Sequence, residues 1–232
     1  MATVVLTGVG SPEQLGETVA RTFAERGVHP VLVGHRDEQV NARVNDLQGA
    51  GFSARGFACD LADASAVAAL ASTIAAEYPE GIDALVHMAG GFAMSGPVAA
   101  SALDVWERQI SINLTTAFLT SRALVPQLRR AKGAIVFMAS ASALPGGSIA
   151  EMSAYVVAKS GVLALMRAIA AEERQHGVRA NAVAPGAIRT ASNVAAMGEK
   201  LRYVERQQVA DVIAYLCSPE ASAITGQVVA LT

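Results

Sequence analysis

The fold of this chain is decided by the stretch Thr3-Val4-Val5-Leu6-Thr7-Gly8-Val9-Gly10-Ser11-Pro12-Glu13-Gln14-Leu15-Gly16. A β-branched run passes into a glycine-rich turn, and a helical pattern follows. Dinucleotide phosphates bind in this setting, because glycines allow close backbone approach and a helix N-terminus offers free N–H groups. Ser11-Pro12-Glu13-Gln14 also has the pattern of a capping box, which predicts a helix beginning near Pro12 with Ser11 as its N-cap. The alternative is a capped helix after a plain glycine turn.

The rest of the chain repeats this alternation of short apolar runs and segments of 3.6-residue periodicity. No composition shift, repeat or linker divides the sequence, so we expect one domain over residues 1–232. The pattern predicts an α/β fold, a doubly wound parallel sheet of about seven strands with helices on both faces. Predicted strands are Thr3–Thr7, Val31–Val33, Ser53–Cys59, Ala84–Met88, Ala134–Met138, Ala180–Val183 and Gln227–Leu231. Predicted helices are Glu13–Arg26, Asp37–Ala50, Ser65–Glu77, Leu103–Arg130, Ser153–Glu173 and Arg206–Leu216.

Composition excludes several classes of protein. Apolar residues make up 52% and charged residues 16% of the chain, which is too apolar for a disordered protein. A net charge of −2 provides no basic surface for nucleic acid. The best apolar run, Val162–Ala171, contains Arg167 and is shorter than the roughly 18 residues of a membrane span, so we expect none. Cys59 and Cys217 are predicted core thiols without metal-ligand spacing. The N-terminus lacks a signal-peptide pattern, so we expect a cytoplasmic enzyme.

The end of the second predicted strand favours NADP(H) over NAD(H). A carboxylate at this point binds the adenosine ribose hydroxyls of NAD, whereas an arginine accommodates the 2′-phosphate of NADP. Here His35 and Arg36 follow the strand, and Asp37 comes one residue too late unless the loop shifts. The alternative is that Arg36 is a solvated residue that pairs with Asp37 or Glu38.

Tyr155 and Lys159 are the residues best suited to acid–base chemistry. Their i, i+4 spacing places a phenol and an ammonium on one face of an apolar helix. The cation would stabilise the phenolate, so Tyr155 is a candidate general acid. The alternative is a half-buried tyrosine beside a lysine that extends to solvent. The preceding strand ends at Ser140, whose hydroxyl lies at the edge where ligands of parallel sheets bind.

Taken together, the motifs resemble those of the short-chain dehydrogenase/reductase family, of the single-domain Rossmann type with Tyr-xxx-Lys, over essentially the whole chain. They are Asn113 in Ile112-Asn113-Leu114, the serine after the fifth strand, Tyr155-xxx-Lys159, the stretch Asn181–Thr190 and the closing Ile224-Thr225-Gly226-Gln227. The resemblance implies a Rossmann-type sheet and NAD(P)-dependent interconversion of a carbonyl and a secondary alcohol.

The resemblance also implies roles for single residues. Tyr155 is the proton donor to the carbonyl, and Lys159 holds the nicotinamide ribose and lowers the pKa of that tyrosine. Ser140 orients the carbonyl oxygen. Asn113 anchors a proton-relay water. The expected cofactor-binding residues are Gly8, Gly10, Ser11, Gly16, Arg36, Asp60, Leu61, Ala89, Gly90, Tyr155, Lys159, Pro185, Gly186, Ile188 and Thr190, although Asp60 could instead cap the next helix.

Two motifs depart from the family pattern. The glycine loop is two residues longer, and Gln14 replaces its middle glycine, where it either adds a polar contact or crowds the pyrophosphate. The family's Asn-Asn-Ala-Gly is His87-Met88-Ala89-Gly90, which loses the asparagines that join neighbouring strands; we interpret His87 as a structural substitute.

The position of the catalytic serine is ambiguous. Counting along the strand favours Ser140, whereas the family's thirteen-residue spacing to the tyrosine favours Ser142. We prefer Ser140, because packing fixes the strand register while the following loop can absorb an insertion.

The expected ligands follow from the loops after the strands. Their apolar side chains predict a small, apolar carbonyl or alcohol substrate beneath a short lid that starts at Ala191. A helix that is apolar all round, Ser153–Ala171, predicts a homodimer or homotetramer.

An alternative function is a catalytically silent dinucleotide-binding regulator, which the altered glycine loop favours. Enoyl reduction fits less well, because those relatives separate tyrosine and lysine by six residues. The pocket side chains are Phe92, Met94, Leu144, Met152 and Met197.

Overall fold

A computed structural model describes all 232 residues. Seven strands form one parallel sheet in the order β3-β2-β1-β4-β5-β6-β7, which confirms the predicted doubly wound α/β fold. The strands are β1 Thr3–Thr7, β2 His29–Gly34, β3 Arg55–Ala58, β4 Ala84–His87, β5 Ala134–Met138, β6 Arg179–Pro185 and β7 Val228–Leu231. The helices are α1 Leu15–Glu25, α2 Asp37–Gly49, α3 Ala64–Glu77, α4 Leu103–Ile110, α5 Thr116–Ala131, α6 Ser153–Glu172, α7 Ala191–Met197 and α8 Arg206–Cys217.

Alternating side chains of the strands form a core on each face of the sheet. In β1, Val5 packs with α3, α5 and α6 on one face, whereas Val4 and Leu6 pack with α1, α2 and α8 on the other. A strand buried on both faces has apolar residues at every position, which is why the predicted strands read as continuous apolar runs.

The start of α1 differs from the capping-box prediction. The helix begins at Leu15, and its N-cap is Gln14, whose side chain makes no capping hydrogen bond. Glu13 has a φ of 57°, a left-handed conformation that cannot belong to the first helical turn. Ser11 therefore lies in the lengthened loop and does not cap the helix.

The long predicted helix Leu103–Arg130 is two helices joined by a single π-helical turn, Ser111–Thr115. Such turns insert one residue into the helical ladder and are frequent at functional sites. The turn contains Asn113, so the irregularity falls on a predicted site residue. The lid segment also contains a short helix, α7, that the periodicity did not predict.

Helix α6 corrects the expectation that no segment could qualify as a membrane span. It has 20 residues and a mean hydropathy of 1.5 over its best window, so it is long and apolar enough by composition alone. In this fold its inward side chains, Val162 and Met166 among them, are buried against the sheet.

The sheet reverses its winding between β1 and β4. The chain enters at β1 and proceeds outward to β3, then returns to β4 on the other side of β1. The loops after these strands diverge at that point, which opens a crevice at the carboxyl edge of the sheet. Loops at this same edge, after β1 to β6, contain most of the predicted site residues.

Candidate active site

Two glycines bring the loops after β1 and β4 against each other. Gly8 has a φ of 77°, and a Cβ there would lie 2.7 Å from the backbone nitrogen of Ala89. Gly90 has a φ of 152°, and a Cβ there would lie 2.5 Å from Oδ1 of Asn113. Only glycine is compatible with both the conformation and the space. The structure thus joins three of the predicted site segments at the crevice.

Lys159 is held in a fixed position beside Tyr155 on α6. Its side chain is 4% exposed, and Nζ donates a hydrogen bond of 2.9 Å to the main-chain oxygen of Met138. Nζ lies 5.8 Å from the centroid of the Tyr155 ring. Burial lowers the pKa of Lys159 to about 8, so the ammonium is protonated at neutral pH. The alternative of a lysine extending to solvent is wrong.

The pKa of Tyr155 is raised, not lowered as the resemblance implies. Burial of the phenol is the main cause, and the Ser140 hydroxyl acts in the opposite direction. A phenol with a raised pKa is protonated at neutral pH, which suits a proton donor. The ring of Phe92 packs edge-on against Tyr155 with centroids 5.0 Å apart and contributes to this burial.

Of the two candidate serines, Ser140 is the one whose hydroxyl affects Tyr155, because it lowers the pKa of the phenol. It caps the short turn Ala141–Ala143 that follows β5. Its Oγ accepts a hydrogen bond of 3.3 Å from the backbone N–H of Ser142 and lies 2.9 Å from the Oγ of that residue. Ser142 therefore supports Ser140, an arrangement that favours our choice of Ser140.

Asn113 is fully buried in the π-turn, and its side chain is used structurally. Nδ2 donates to the carbonyl oxygens of Gly91 (2.9 Å) and Gln109 (3.1 Å), while Oδ1 accepts from the N–H of Gly91 (3.1 Å). The amide therefore fixes the loop after β4. A relay water at Asn113 would have to bind its main chain or the remaining lone pair of Oδ1.

The lengthened glycine loop contacts both α2 and α7. Gln39 Nε2 donates to the Ser11 Oγ at 3.4 Å, at the start of α2. The Ser192 Oγ donates to Gln14 Oε1 at 2.9 Å, and the Ala191 N–H donates to the Glu13 carbonyl at 3.2 Å. The side chain that replaces the family glycine therefore joins the loop to the lid helix.

Strand β2 ends at a position that has no room for a side chain. Its last residue is Gly34, where a Cβ would collide with the Val9 carbonyl oxygen. Arg36 is exposed, as the alternative of a solvated residue also expects, but it forms no salt bridge with Asp37 or Glu38. The Asp37 carboxylate instead accepts a hydrogen bond of 2.8 Å from Asn41 within α2.

The loop after β3 places Asp60 at the carboxyl edge without a capping role. Asp63 caps α3 by accepting hydrogen bonds from the backbone N–H groups of Ser65 and Ala66. Asp60 closes a local turn to the Ala62 N–H (2.9 Å) and remains exposed, so the alternative that it caps the helix is wrong. Leu61 is buried in the core, which leaves only its main chain for a ligand.

The loop after β6 is pinned by the neighbouring chain segments. Gly186 donates its N–H to the Leu231 carbonyl at 2.8 Å, and Ile188 pairs with Val204 in an isolated bridge. Thr190 is 7% exposed and caps α7, accepting a hydrogen bond of 3.2 Å from the Asn193 N–H. Together with Pro185, the last residue of β6, these predicted cofactor residues lie at the carboxyl edge of the sheet.

A family model described as "Enoyl-(Acyl carrier protein) reductase" matches residues 8–231. The chain belongs to the short-chain dehydrogenase/reductase (SDR) family. It is 31% identical over 245 residues to human "Dehydrogenase/reductase SDR family member 4", covering 99% of this chain and 86% of the relative. These matches identify it as an NAD(P)-dependent oxidoreductase of that family.

Two solved SDR structures are similar over almost the whole chain. One, from Beutenbergia cavernae, is described as a proposed NAD(P)-dependent gluconate 5-dehydrogenase with NADP bound at low occupancy; it has a TM-score of 0.88 and 30% identity, covering 99% of this chain and 94% of that one. The other is a 3-oxoacyl-[acyl-carrier protein] reductase from Brucella melitensis with bound NAD, with a TM-score of 0.85 and 31% identity, covering 99% and 88%.

The crevice of this SDR fits a nicotinamide dinucleotide. The first turn of α1 has no side-chain cap, so its N–H groups are free for a phosphate. Gly8 lets the glycine loop pack directly against the backbone of Met88 and Ala89, which sets the position of the loop beside these N–H groups. The buried Lys159 ammonium supplies a donor where the loops after β4 and β5 meet.

A cavity of about 990 Å³ lies at the opposite edge of the sheet, beside Thr3, Asp83 and Arg179. Two of the arginine side chains that line it have structural partners. Arg179 donates to three main-chain carbonyls near the end of α8, and Arg26 pairs with Asp211 at 3.0 Å. Ligands of open α/β sheets bind at the carboxyl ends of the strands, so we place the active site at Tyr155.

The sequence did not predict every residue that shapes this site. Gln109 is buried, and its Oε1 accepts a hydrogen bond of 3.2 Å from Asn113 Nδ2. The signal was available, since the two residues are four positions apart in a predicted helix. His87, interpreted as structural, is buried between Thr7 on β1 and Thr116 on α5 and replaces the connection lost with the asparagines.

Proposed function

We propose that this SDR interconverts a small apolar carbonyl compound and its secondary alcohol, using NADP(H) in preference to NAD(H). The observation that carries the proposal is the grouping of a protonated Tyr155, the Ser140 hydroxyl and the fixed Lys159 ammonium at the carboxyl edge. A bound nicotinamide would supply or accept the hydride.

In the reducing direction, hydride addition to the carbonyl carbon moves the C=O electron pair onto oxygen. The Tyr155 hydroxyl donates its proton to that oxygen, so the product is a neutral alcohol and the tyrosine becomes a phenolate. Lys159 stabilises this phenolate by its charge, and Ser140 orients the oxygen by a hydrogen bond. The oxidation reverses these transfers.

The proposed preference for NADP(H) rests on the end of β2. Arg36 is a free cation, Asp37 is engaged within α2, and Gly34 has no room for a carboxylate. A guanidinium binds a phosphate through two parallel hydrogen bonds, which discriminates between the two cofactors. The similar solved structures contain NADP in one case and NAD in another, so the residues of this chain must support the choice.

The apolar substrate is inferred from the loops beside Tyr155. Phe92 contacts the tyrosine ring yet is 56% exposed, and Met94 in the same loop is 51% exposed. Ser95 donates to the Glu151 carbonyl at 2.8 Å through its N–H, which holds this loop against the one after β5. Exposed apolar side chains next to a proton donor form a surface for an apolar substrate.

Carbonyl reduction is favoured over the enoyl reduction in the description of the family model. Tyr155 and Lys159 are one helical turn apart on α6, with Nζ 5.8 Å from the ring centroid. This separation lets the ammonium act directly on a phenolate formed by proton donation to oxygen.

We also propose a homo-oligomer, a dimer or tetramer, assembled through the outer face of α6. Val157 is 46% exposed on that face, and Phe118 on the neighbouring α5 is 49% exposed. Ala164, about two turns from Val157 along α6, is also exposed, so the uncovered face continues along the helix. Sedimentation of Val157→Glu should give a smaller species than the wild type; an unchanged mass would contradict this face.

The activity is tested with purified protein, NADPH and a panel of apolar ketones and enones. We expect oxidation of NADPH with ketones. Tyr155→Phe should lower kcat by about a hundredfold or more while binding NADPH as the wild type does. Undiminished turnover would refute the proton-donor role. Cofactor binding without turnover would instead support a silent dinucleotide-binding protein.

The cofactor preference is tested by fluorescence titration. Arg36→Ala should raise the Kd for NADPH about tenfold or more and leave that for NADH unchanged, because only NADPH carries the phosphate. Arg21→Ala is a matched control, since Arg21 pairs with Glu25 on the surface of α1. Equal losses for both cofactors would contradict the assignment of Arg36.

A further inference from the structure

The hydrogen bonds of the buried His87 ring have a defined direction. On one side, the Thr7 Oγ1 accepts from the N–H groups of Met88 (3.2 Å) and Ala89 (3.3 Å). Both lone pairs of that oxygen are then used, so its own hydrogen is donated to His87 Nδ1 at 3.1 Å. Nδ1 is therefore an acceptor and carries no proton.

The other side of the ring agrees with this tautomer. The Thr116 Oγ1 donates its hydrogen to the Ile112 carbonyl at 2.8 Å. It can only accept from the imidazole, so His87 Nε2 carries the proton and donates at 3.3 Å. The ring is 2% exposed, and burial, with a smaller effect of the Lys159 charge, lowers its pKa to about 3. It is thus a neutral imidazole.

This series of hydrogen bonds, from the Ala89 N–H to the Ile112 carbonyl, ends beside the active site. Ile112, the final acceptor, precedes Asn113 in the π-turn. The Asn113 side chain binds the N–H and C=O of Gly91, two residues after the Ala89 at which the chain starts. The hydrogen bonds and the peptide backbone therefore form a closed circuit, in which His87 makes the connection from β4 to α5.

We propose that His87 is a positioning residue, whose neutral Nε2–H tautomer fixes Asn113 and the Ala89–Gly90 segment relative to each other. Gly90 borders the Lys159 ammonium, since a Cβ there would lie 3.4 Å from Nζ. The family asparagine has one short amide, whereas the longer imidazole reaches both Thr7 and Thr116. A role in turnover rests on the function proposed above, but the tautomer does not.

The tautomer is tested by NMR of ¹⁵N-labelled protein. Comparison with His87→Gln identifies the signals of His87 among the four histidines. We expect a neutral ring with the proton on Nε2 from neutral to mildly acidic pH. A proton on Nδ1, or an imidazolium over that range, would overturn the proposal whether or not the protein turns over any substrate.

Positioning is tested at Thr116, which touches His87 but not the reacting groups. Thr116→Val keeps the side-chain shape but removes the hydroxyl that links His87 to Ile112. We therefore expect kcat to fall about tenfold while the Kd for NADPH changes little. Thr116→Ser keeps the hydroxyl and should restore kcat.

Thr120→Val is the matched control. The buried Thr120 Oγ1 donates to the Thr116 carbonyl (2.7 Å) one turn along α5, and this hydrogen bond is not part of the circuit through His87. It should leave kcat unchanged. Equal losses of kcat in Thr116→Val and Thr120→Val would overturn the positioning role. If the wild type has no turnover, the proposed function is contradicted instead. The NMR measurement then still tests the proposed tautomer of His87.

Discussion

The buried His87 predicts a pH-dependent stability difference between the wild type and His87→Gln. The folded state holds the pKa of His87 at about 3, against an ordinary value of 6.5. Between these values the unfolded chain binds a proton that the folded chain does not, so the free energy of unfolding falls as the pH falls. At about 1.36 kcal/mol per unit, the wild type loses about 2 kcal/mol between pH 6.5 and about pH 5 from this residue alone.

Glutamine offers an acceptor and a donor in place of the imidazole nitrogens but does not titrate. We expect His87→Gln to be less stable at neutral pH by about 1 kcal/mol, through poorer hydrogen-bond geometry. The difference should vanish or reverse near pH 5, as measured by urea denaturation followed by circular dichroism. All other groups titrate equally in both proteins and cancel.

Thr120→Val serves as the control, because it removes a buried hydrogen bond without a titrating group. Its stability difference from the wild type should stay constant over the same pH range. A constant difference for His87→Gln as well would refute the reasoning, since it would mean that the imidazole accepts a proton as readily in the folded as in the unfolded chain.

Three further predictions concern the glycine loop, the two serines and the contact between Gln14 and α7. Gly8→Ala should cost about 2 kcal/mol or more in thermal unfolding and weaken NADPH binding, because the φ of 77° and the 2.7 Å contact exclude a side chain. Ser140→Ala should lower kcat about a hundredfold and Ser142→Ala about tenfold at most; the reverse order would contradict our assignment. Gln14→Ala should speed hydrogen exchange at the start of α7 about fivefold, and Ser192→Ala should do the same, since both remove one hydrogen bond.

The fold was predictable because each strand is buried on both faces. β1 and β5 have the bounds that their apolar runs predict, Thr3–Thr7 and Ala134–Met138. The predicted start of α1 was wrong, because tertiary contacts outweigh the local sequence pattern there. Ser11 has the residue type and spacing of an N-cap. However, the Glu13 carbonyl accepts a hydrogen bond from α7, and the loop conformation that makes this contact is incompatible with a helical turn at Glu13.

The placement of Tyr155 beside Lys159 could be predicted, but the direction of the Tyr155 pKa shift could not. The spacing of Tyr155 and Lys159 places them on one helical face, and the structure agrees. The direction of the Tyr155 pKa shift depends on burial, to which the Phe92 ring contributes from a distant loop. Helix α7 is short. The Tyr203 hydroxyl holds its C-terminal end by donating to the Gly198 carbonyl at 2.7 Å, with the Asn193 carbonyl 3.3 Å away, and no periodicity within the segment reveals these contacts.

The longer glycine loop and the end of β2 are parts of one arrangement. The Val9 N–H donates to the Val33 carbonyl at 3.2 Å, which brings the loop across the end of β2. The Val9 carbonyl then occupies the space that any Cβ at Gly34 would need. A carboxylate cannot be introduced at that position without moving the glycine loop itself. The proposed preference for NADP(H) therefore rests on residues beyond the strand, where Arg36 is the exposed cation and the Asp37 carboxylate is already bonded within α2.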